Sequence, residues 1–215
     1  MHTETARHQM IYHQVRPWDV FDARVLQAMT TVPRERFVPD IYTDLAFADT
    51  AIPLPCGQRM LHPILEGRLL QALQPAQHEH ALLIGTGSGY TSACLAQLVD
   101  HVTSVDIHAE LVDAAAVRLA DEKVRNVELK LADCFELQPL NKFDCIFVTG
   151  SMPSFDERLP EWLKTGGRLI VITGKAPNMT VELVRRDADT YSRTALFETV
   201  VPALENAPAP ATFTF

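Results

Sequence analysis

The chain has 215 residues, of which 47% are hydrophobic and 21% charged, a composition that indicates a globular domain and excludes disordered, collagen-like and coiled-coil chains. Lys and Arg number 19 against 27 Asp and Glu, so the formal net charge is −8, which disfavours general binding to nucleic acid or anionic membranes. No apolar run reaches the roughly 20 residues that a membrane span needs, and the N-terminus lacks an apolar signal core. We therefore expect a cytoplasmic protein without nucleic-acid or membrane partners.

The N-terminal third of the sequence is typical of helices and loops. Apolar residues between Val25 and Val32 recur at the spacing of one helix face, and Pro33 predicts the end of that helix. Prolines and a glycine in residues 53–57 predict an extended loop. A second helix is predicted over residues 64–73.

From residue 80 onward, short apolar runs alternate with helical patterns. This alternation predicts a parallel sheet with helices on both faces, and continuous apolar runs are typical of strands buried on both faces. We predict a doubly wound α/β domain over residues 76–215, joined to a helical cap over residues 1–75 in one compact unit. The predicted strands are 81–84, 102–105, 127–131, 145–148, 169–172 and 197–201, with helices over 91–98 and around 112–119.

The four cysteines are scattered along the sequence, with no CxxC pair, and the histidines form no HExxH motif. This pattern favours reduced, buried thiols and predicts no metal site. The cysteines are Cys56, Cys94, Cys134 and Cys145.

A glycine-rich turn follows the first predicted strand and opens a helix. Residues 84–90 read Ile-Gly-Thr-Gly-Ser-Gly-Tyr. The spacing is GxGxG and not the dinucleotide pattern GxGxxG, because position 90 is Tyr. Glycines at such a turn allow the backbone to approach a ligand closely. The spacing favours a nucleoside ligand without a pyrophosphate, S-adenosylmethionine above all.

Two acidic residues follow the next two predicted strands. Asp106 lies 21 positions after Gly85, where a carboxylate can accept both ribose hydroxyls. Asp133 follows the third strand and can accept a hydrogen bond from an adenine amino group. Both belong to the carboxyl edge of the sheet, where open α/β folds bind ligands. The predicted cofactor-binding residues are Gly85, Thr86, Gly87, Ser88, Gly89, Tyr90, Asp106, Ile107, Asp133 and Cys134.

The sequence resembles the protein-L-isoaspartate O-methyltransferase family over most of its length. The matching segments are residues 32–39 (Val-Pro-Arg-Glu-Arg-Phe-Val-Pro), Pro53, Gly57-Gln58, Pro63, residues 83–90, 143–149, Pro153, residues 163–169 and Val201-Pro202. The resemblance implies a seven-stranded, Rossmann-like methyltransferase sheet with a helical N-terminal extension. It also implies S-adenosylmethionine as cofactor and isoaspartyl-containing peptides or proteins as methyl acceptors.

The substrate loop of that family corresponds to residues 57–63 here, and this loop departs from the family's pattern. The family reads Gly-Gln-Thr-Ile-Ser, but here Arg59 stands at the Thr position and Leu61 at the Ser position near the reacting groups. The resemblance thus places Arg59 and Leu61 at the catalytic position. Where the family has an acidic residue just before the glycine-rich turn, this chain has Leu83. Where the family has a polar residue after Val-Pro, this chain has Leu204.

Two interpretations of these departures stay open. In the first, the guanidinium of Arg59 binds a carboxylate bidentately, and the protein methylates an isoaspartyl residue or another carboxylate substrate. In the second, the chain is a non-catalytic module that binds a nucleoside or a protein partner. His62 lies in the same loop, but we assign it no role. The sequence leaves the oligomeric state open.

Overall fold

The computed structural model describes residues 2–208. The N-terminal region is helical, as predicted, and Asp22 caps its second α-helix by accepting the amide hydrogen of Arg24. The third helix begins at Pro63, since proline fits the first position of a helix. The helices of this region are α1 (His2–Gln9), continued by a π-helical segment (Met10–Val15), α2 (Ala23–Thr31) and α3 (Pro63–Leu73).

Seven strands form one sheet in the order β3-β2-β1-β4-β5-β6-β7, which confirms the seven-stranded Rossmann-like fold with its helical extension. The strands β1 to β5 run parallel, whereas β6 and β7 are antiparallel to their neighbours. The elements are β1 (His80–Ile84), α4 (Tyr90–Ala96), β2 (His101–Asp106), α5 (Ala109–Asp121), β3 (Val127–Leu131), β4 (Phe143–Met152), β5 (Leu163–Lys175), β6 (Asn178–Asp187) and β7 (Thr190–Glu198).

The predicted parallel pairing holds for β1 to β5, but the sheet is mixed because β6 pairs antiparallel with β5 and β7. Strand β6 was not predicted from the sequence, and only the end of β7 was. In β6 the apolar pattern is broken by Glu182, whose two carboxylate oxygens are bound by Arg193 of β7, each at 2.8 Å. Most residues of β7 are exposed because it is an edge strand, so it carries no continuous apolar run.

Two hydrophobic clusters lie on opposite faces of the sheet, as the two-residue period of strands requires. Leu83 and Phe147 face the first cluster, which also contains Met29 and Leu69 of the N-terminal helices. Val148 belongs to the second cluster. The N-terminal helices therefore share a core with the sheet. The domain boundary near residue 75 stays a prediction.

All four cysteines are free, but only Cys94, Cys134 and Cys145 are buried. Cys56 is exposed in the loop before α3, at a φ of 57°, so the prediction of a buried thiol was wrong there. Within residues 2–208, no helix is long and apolar enough to cross a membrane. The same residues contain no group of three or more His, Cys, Asp or Glu side chains arranged to hold a metal ion.

Candidate functional site

A cavity lies where the carboxyl ends of β1 and β2 meet the N-terminal helices. Five loop segments line it: the substrate loop before α3, the glycine loop after β1, the turn after β2, the turn after β3, and the C-terminal segment after β7. Its polar or charged side chains are Gln58, Arg59, His62, Glu66, Thr86, Ser88, Thr91, Asp106, His108, Asp133, Thr149 and Glu205.

The glycine loop is held tightly between β1, β2 and β4. The amides of Gly85 and Thr86 both donate to the carbonyl oxygen of Val105, at 2.9 and 3.2 Å. Gly85 has a φ of 91°, and a Cβ atom built on it would lie 2.0 Å from Oγ1 of Thr149. Only glycine fits this position. The loop therefore brings unobstructed backbone to the cavity, as its sequence predicted.

Asp106 is the last residue of β2, and it is fixed beside the glycine loop. Its Oδ2 accepts the amide of Gly87 at 2.9 Å, and its Oδ1 accepts the amide of His108 at 3.1 Å. The side chain is only 7% exposed yet lines the cavity. Each carboxylate oxygen can accept a further hydrogen bond. The arrangement can hold two neighbouring hydroxyl groups.

Asp133 lies in the turn after β3 and lines the same cavity. Its Oδ1 accepts the amide of Phe135 at 2.8 Å, and its Oδ2 accepts Nδ2 of Asn206 at 2.7 Å. Ile107 and Cys134 supply apolar surface beside it. Burial raises the pKa of the Cys134 thiol to about 12, so it is neutral at pH 7. This part of the cavity can accept a flat, largely apolar ring with a polar edge.

Two of the predicted cofactor residues, Gly89 and Tyr90, do not line the cavity. Tyr90 is 1% exposed, and its ring centroid lies 5.8 Å from that of Phe37 and 4.7 Å from the guanidinium carbon of Arg34. Its side chain therefore joins α4 to the N-terminal region. The geometry gives no support to a cofactor contact by this side chain, because it points into the core.

The substrate loop places both Arg59 and Leu61 at the cavity. The loop doubles back on itself, since Leu54 and Gln58 are joined by a backbone hydrogen bond of 2.8 Å. Arg59 is exposed, and among residues 2–208 it has no ion-pair or hydrogen-bonding partner. Leu61 is 8% exposed, and Nη2 of Arg34 donates to its carbonyl oxygen at 2.7 Å.

A buried ion pair that was not predicted from the sequence lies behind this loop, and its glutamate lines the cavity. Glu66 of α3 is 2% exposed and pairs with Arg34, which is fully buried. The other oxygen of Glu66, Oε1, accepts the hydroxyl of Thr91 at 2.5 Å. Burial raises the pKa of Glu66, while Arg34 and Thr91 oppose that shift.

The C-terminal segment closes another side of the cavity, which was also not predicted. Oε1 of Glu205 lies 2.8 Å from Nε2 of Gln58 and 2.7 Å from Nε2 of His108. The segment is anchored to β4, because the amide of Leu204 donates to the carbonyl of Ser151 at 2.8 Å. Glu205 is 147 positions from Gln58, so no local sequence pattern could reveal the contact.

Comparisons with known proteins agree with this architecture. The family model described as protein-L-isoaspartate(D-aspartate) O-methyltransferase matches residues 6–206. A protein-L-isoaspartate O-methyltransferase of Koribacter versatilis is 36% identical over 191 residues, covering 88% of this chain and 86% of the relative. One of Rhodopseudomonas palustris (strain BisB5) is 39% identical over 188 residues, covering 86% of this chain and 87% of the relative.

Solved structures show the same fold at lower identity. A Plasmodium falciparum structure titled as such a methyltransferase in complex with S-adenosyl-L-homocysteine has a TM-score of 0.78 at 19% identity. It covers 93% of this chain and 98% of that chain. Another structure titled protein-L-isoaspartate O-methyltransferase has a TM-score of 0.83 at 20% identity, covering 94% of this chain and 67% of that chain. With a family model that spans nearly the whole sequence, this chain belongs to the protein-L-isoaspartate O-methyltransferase family.

Proposed function

We propose that this protein transfers the methyl group of S-adenosylmethionine to the carboxylate of isoaspartyl residues in peptides and proteins. The observation that carries the proposal is the shared cavity, in which Asp106 and the glycine loop face the substrate loop with Arg59. Family membership supports the same reaction. The cytoplasmic location stays a prediction.

The residues at the strand ends fit the nucleoside part of that cofactor. Asp106 would bind the ribose hydroxyls, because both of its oxygens are oriented by backbone amides and can accept further donors. Asp133 would accept a hydrogen bond from the adenine amino group. Ile107 and Cys134 would contact the faces or the edge of the adenine ring. When bound, the cofactor supplies an electrophilic methyl group on sulfur.

Arg59 would bind the acceptor carboxylate at the mouth of the cavity. It is the only Lys or Arg among the described residues that line the cavity, and a guanidinium can bind a carboxylate through two parallel hydrogen bonds. A carboxylate with a pKa near 4 is already ionised at pH 7, so no general base is required. Leu61 lines the cavity in the same loop, and its apolar side chain offers no hydrogen bond to that carboxylate.

A methyl-transfer assay with two matched peptides tests this proposal. One peptide contains an isoaspartyl residue and the other an ordinary aspartyl residue in the same sequence, and labelled S-adenosylmethionine reports transfer. We expect methylation of the isoaspartyl peptide only, and a loss of kcat/KM in Arg59→Ala that Arg59→Lys partly restores. Equal turnover by Arg59→Ala would remove Arg59 from the substrate site. Cofactor binding without methylation of either peptide would favour the non-catalytic alternative.

A further inference from the structure

The acidic side chains that line the cavity fall into distinct places. Asp106 and Asp133 lie at the ends of β2 and β3, where the nucleoside is proposed to bind. Glu205 is 46% exposed and already contacts Gln58 and His108. Glu66 lies apart from these three, on α3, between the substrate loop and Thr91 of α4. Arg34 links this carboxylate to the substrate loop, because it also donates to the carbonyl oxygen of Leu61.

We propose that the carboxylate of Glu66 accepts a hydrogen bond from the ammonium group at the methionine end of the bound cofactor. This inference rests on the proposed function. From the ends of β2 and β3, the cavity continues past the glycine loop to Thr91 of α4 and Glu66 of α3, where the amino-acid end of the ligand would lie if adenosine binds at those strand ends. Glu66 lines the cavity on that side. It acts there as a cofactor-binding residue that no motif in the sequence marks.

The hydrogen bonds of Glu66 orient its carboxylate without using all of its acceptor capacity. Arg34 binds Oε2, and the hydroxyl of Thr91 binds Oε1. Each carboxylate oxygen has two lone pairs, so both oxygens can accept another donor from the cavity. Arg34 is itself held by the carbonyl oxygens of Ala46 and Leu61, at 3.1 and 2.7 Å. The carboxylate is thus preorganised before a ligand arrives.

The neighbouring strand offers no carboxylate that could take this role. Leu83 is fully buried in β1, faces the first hydrophobic cluster and does not line the cavity. The carboxylate of Glu66 is buried, and a buried charge is costly unless it is paired. Arg34 supplies the opposite charge that offsets this cost. An incoming ammonium group would then form a charge-assisted hydrogen bond in a site shielded from water.

Calorimetric titration of two ligands tests the proposal. S-adenosylhomocysteine carries the amino-acid end, whereas 5′-methylthioadenosine has the same nucleoside and thioether but lacks it. In Glu66→Gln, we expect the Kd of S-adenosylhomocysteine to rise about ten- to a hundredfold, the effect of losing one charge-assisted hydrogen bond. The Kd of 5′-methylthioadenosine should change by less than about threefold. Equal weakening of both ligands, or no change in either, would overturn the proposal.

Glu79→Gln is the matched control, because Glu79 is also buried against an arginine, Arg168, but does not line the cavity. We expect it to leave both Kd values unchanged. If Glu66→Gln does not fold, the wild-type protein and Glu66→Asp are titrated with a deaminated S-adenosylhomocysteine. For the wild type, the Kd of this analogue should be at least about tenfold higher than that of S-adenosylhomocysteine. In Glu66→Asp, the ratio of these two Kd values should be smaller. Equal binding of the two by the wild type would contradict the role of Glu66.

The same titrations separate this inference from the proposed function. A wild-type protein that binds neither S-adenosylhomocysteine nor 5′-methylthioadenosine contradicts the proposed function, and the role of Glu66 with it. A wild-type protein that binds both, with Glu66→Gln unchanged, contradicts the role of Glu66 alone.

Discussion

Two buried arginine–glutamate pairs in this protein have the same chemistry but different geometry. Arg168 of β5 binds both oxygens of Glu79, at 2.6 and 2.7 Å. Arg34 binds a single oxygen of Glu66 and leaves the other to Thr91. The first pair is bidentate and neither of its residues lines the cavity, whereas Glu66 of the second pair does line it.

The surroundings of Arg168 explain the difference. Besides Glu79, it donates to the carbonyl oxygens of Leu73, at 2.5 Å, and Gln74. These carbonyls lie at the end of α3, where they have no partner within the helix. Arg168 thus fastens α3 to β5. A buried ion pair whose groups are all engaged within the protein is structural, whereas one with free acceptor capacity beside a cavity can bind a ligand.

The largest expected effect comes from breaking the structural pair with Arg168→Met. The substitution leaves Glu79 buried without a partner, and we expect the free energy of unfolding to fall by about 3–5 kcal/mol. Denaturant titration measures this loss. The Kd of S-adenosylhomocysteine for the folded variant should stay unchanged. A loss below about 1 kcal/mol would show that this pair does not fasten the helix to the sheet.

The next effect belongs to the cavity and is expected in Asp106→Asn. The amide replaces one ionised acceptor and weakens the contacts proposed for the ribose, so binding of S-adenosylhomocysteine should lose about 1.5–3 kcal/mol. Calorimetry measures the affinity, and thermal unfolding without ligand serves as the control for folding. An unchanged Kd would remove Asp106 from the cofactor site.

A smaller effect is expected from restoring a hydroxyl to the substrate loop with Leu61→Ser. The new side chain could donate to the acceptor carboxylate beside Arg59, and methyl transfer to the isoaspartyl peptide should rise roughly tenfold, about 1.4 kcal/mol in the barrier. The rate is measured per folded molecule, since Leu61 contributes to the core. A lower rate with normal cofactor affinity would show that the apolar side chain itself is needed.

The smallest expected effect is the pH dependence of stability that the Arg168–Glu79 pair contributes. Burial would raise the pKa of Glu79, but Arg168 and the amide of Ala76 hold it below its ordinary value. A lowered pKa in the folded state contributes stability above the unfolded value, near pH 4.5, and this contribution is lost as pH falls through the folded value. The wild type should therefore lose more stability on acidification below that pH than Glu79→Gln. Parallel stability profiles would contradict this contribution.

The parts of the fold that the sequence predicted are those with local patterns. The apolar runs of β1, β2 and β3 and the glycine loop depend on neighbouring residues, and they were located within one or two positions. The strand β6 was missed because Glu182 is satisfied by Arg193 from another strand. That pairing exists only once the sheet has formed.

The cavity residues that could be predicted are also those with a local sequence pattern. Asp106 could be placed at the cavity from the sequence, because it ends a strand at a fixed distance from the glycine loop. Glu66 and Glu205 were missed, since their partners Arg34 and Gln58 are 32 and 147 positions away. Tyr90 was assigned to the cofactor because it adjoins the glycine loop, yet its side chain packs towards the N-terminal helices. Adjacency in sequence does not fix the direction of a side chain.

The most direct test of the account is a calorimetric titration of the unmodified protein with S-adenosylhomocysteine. We expect saturable binding of one ligand per chain, because a single cavity joins the glycine loop, Asp106 and the substrate loop within the described residues. Absence of binding would contradict the central claim that this cavity is the cofactor site of a methyltransferase.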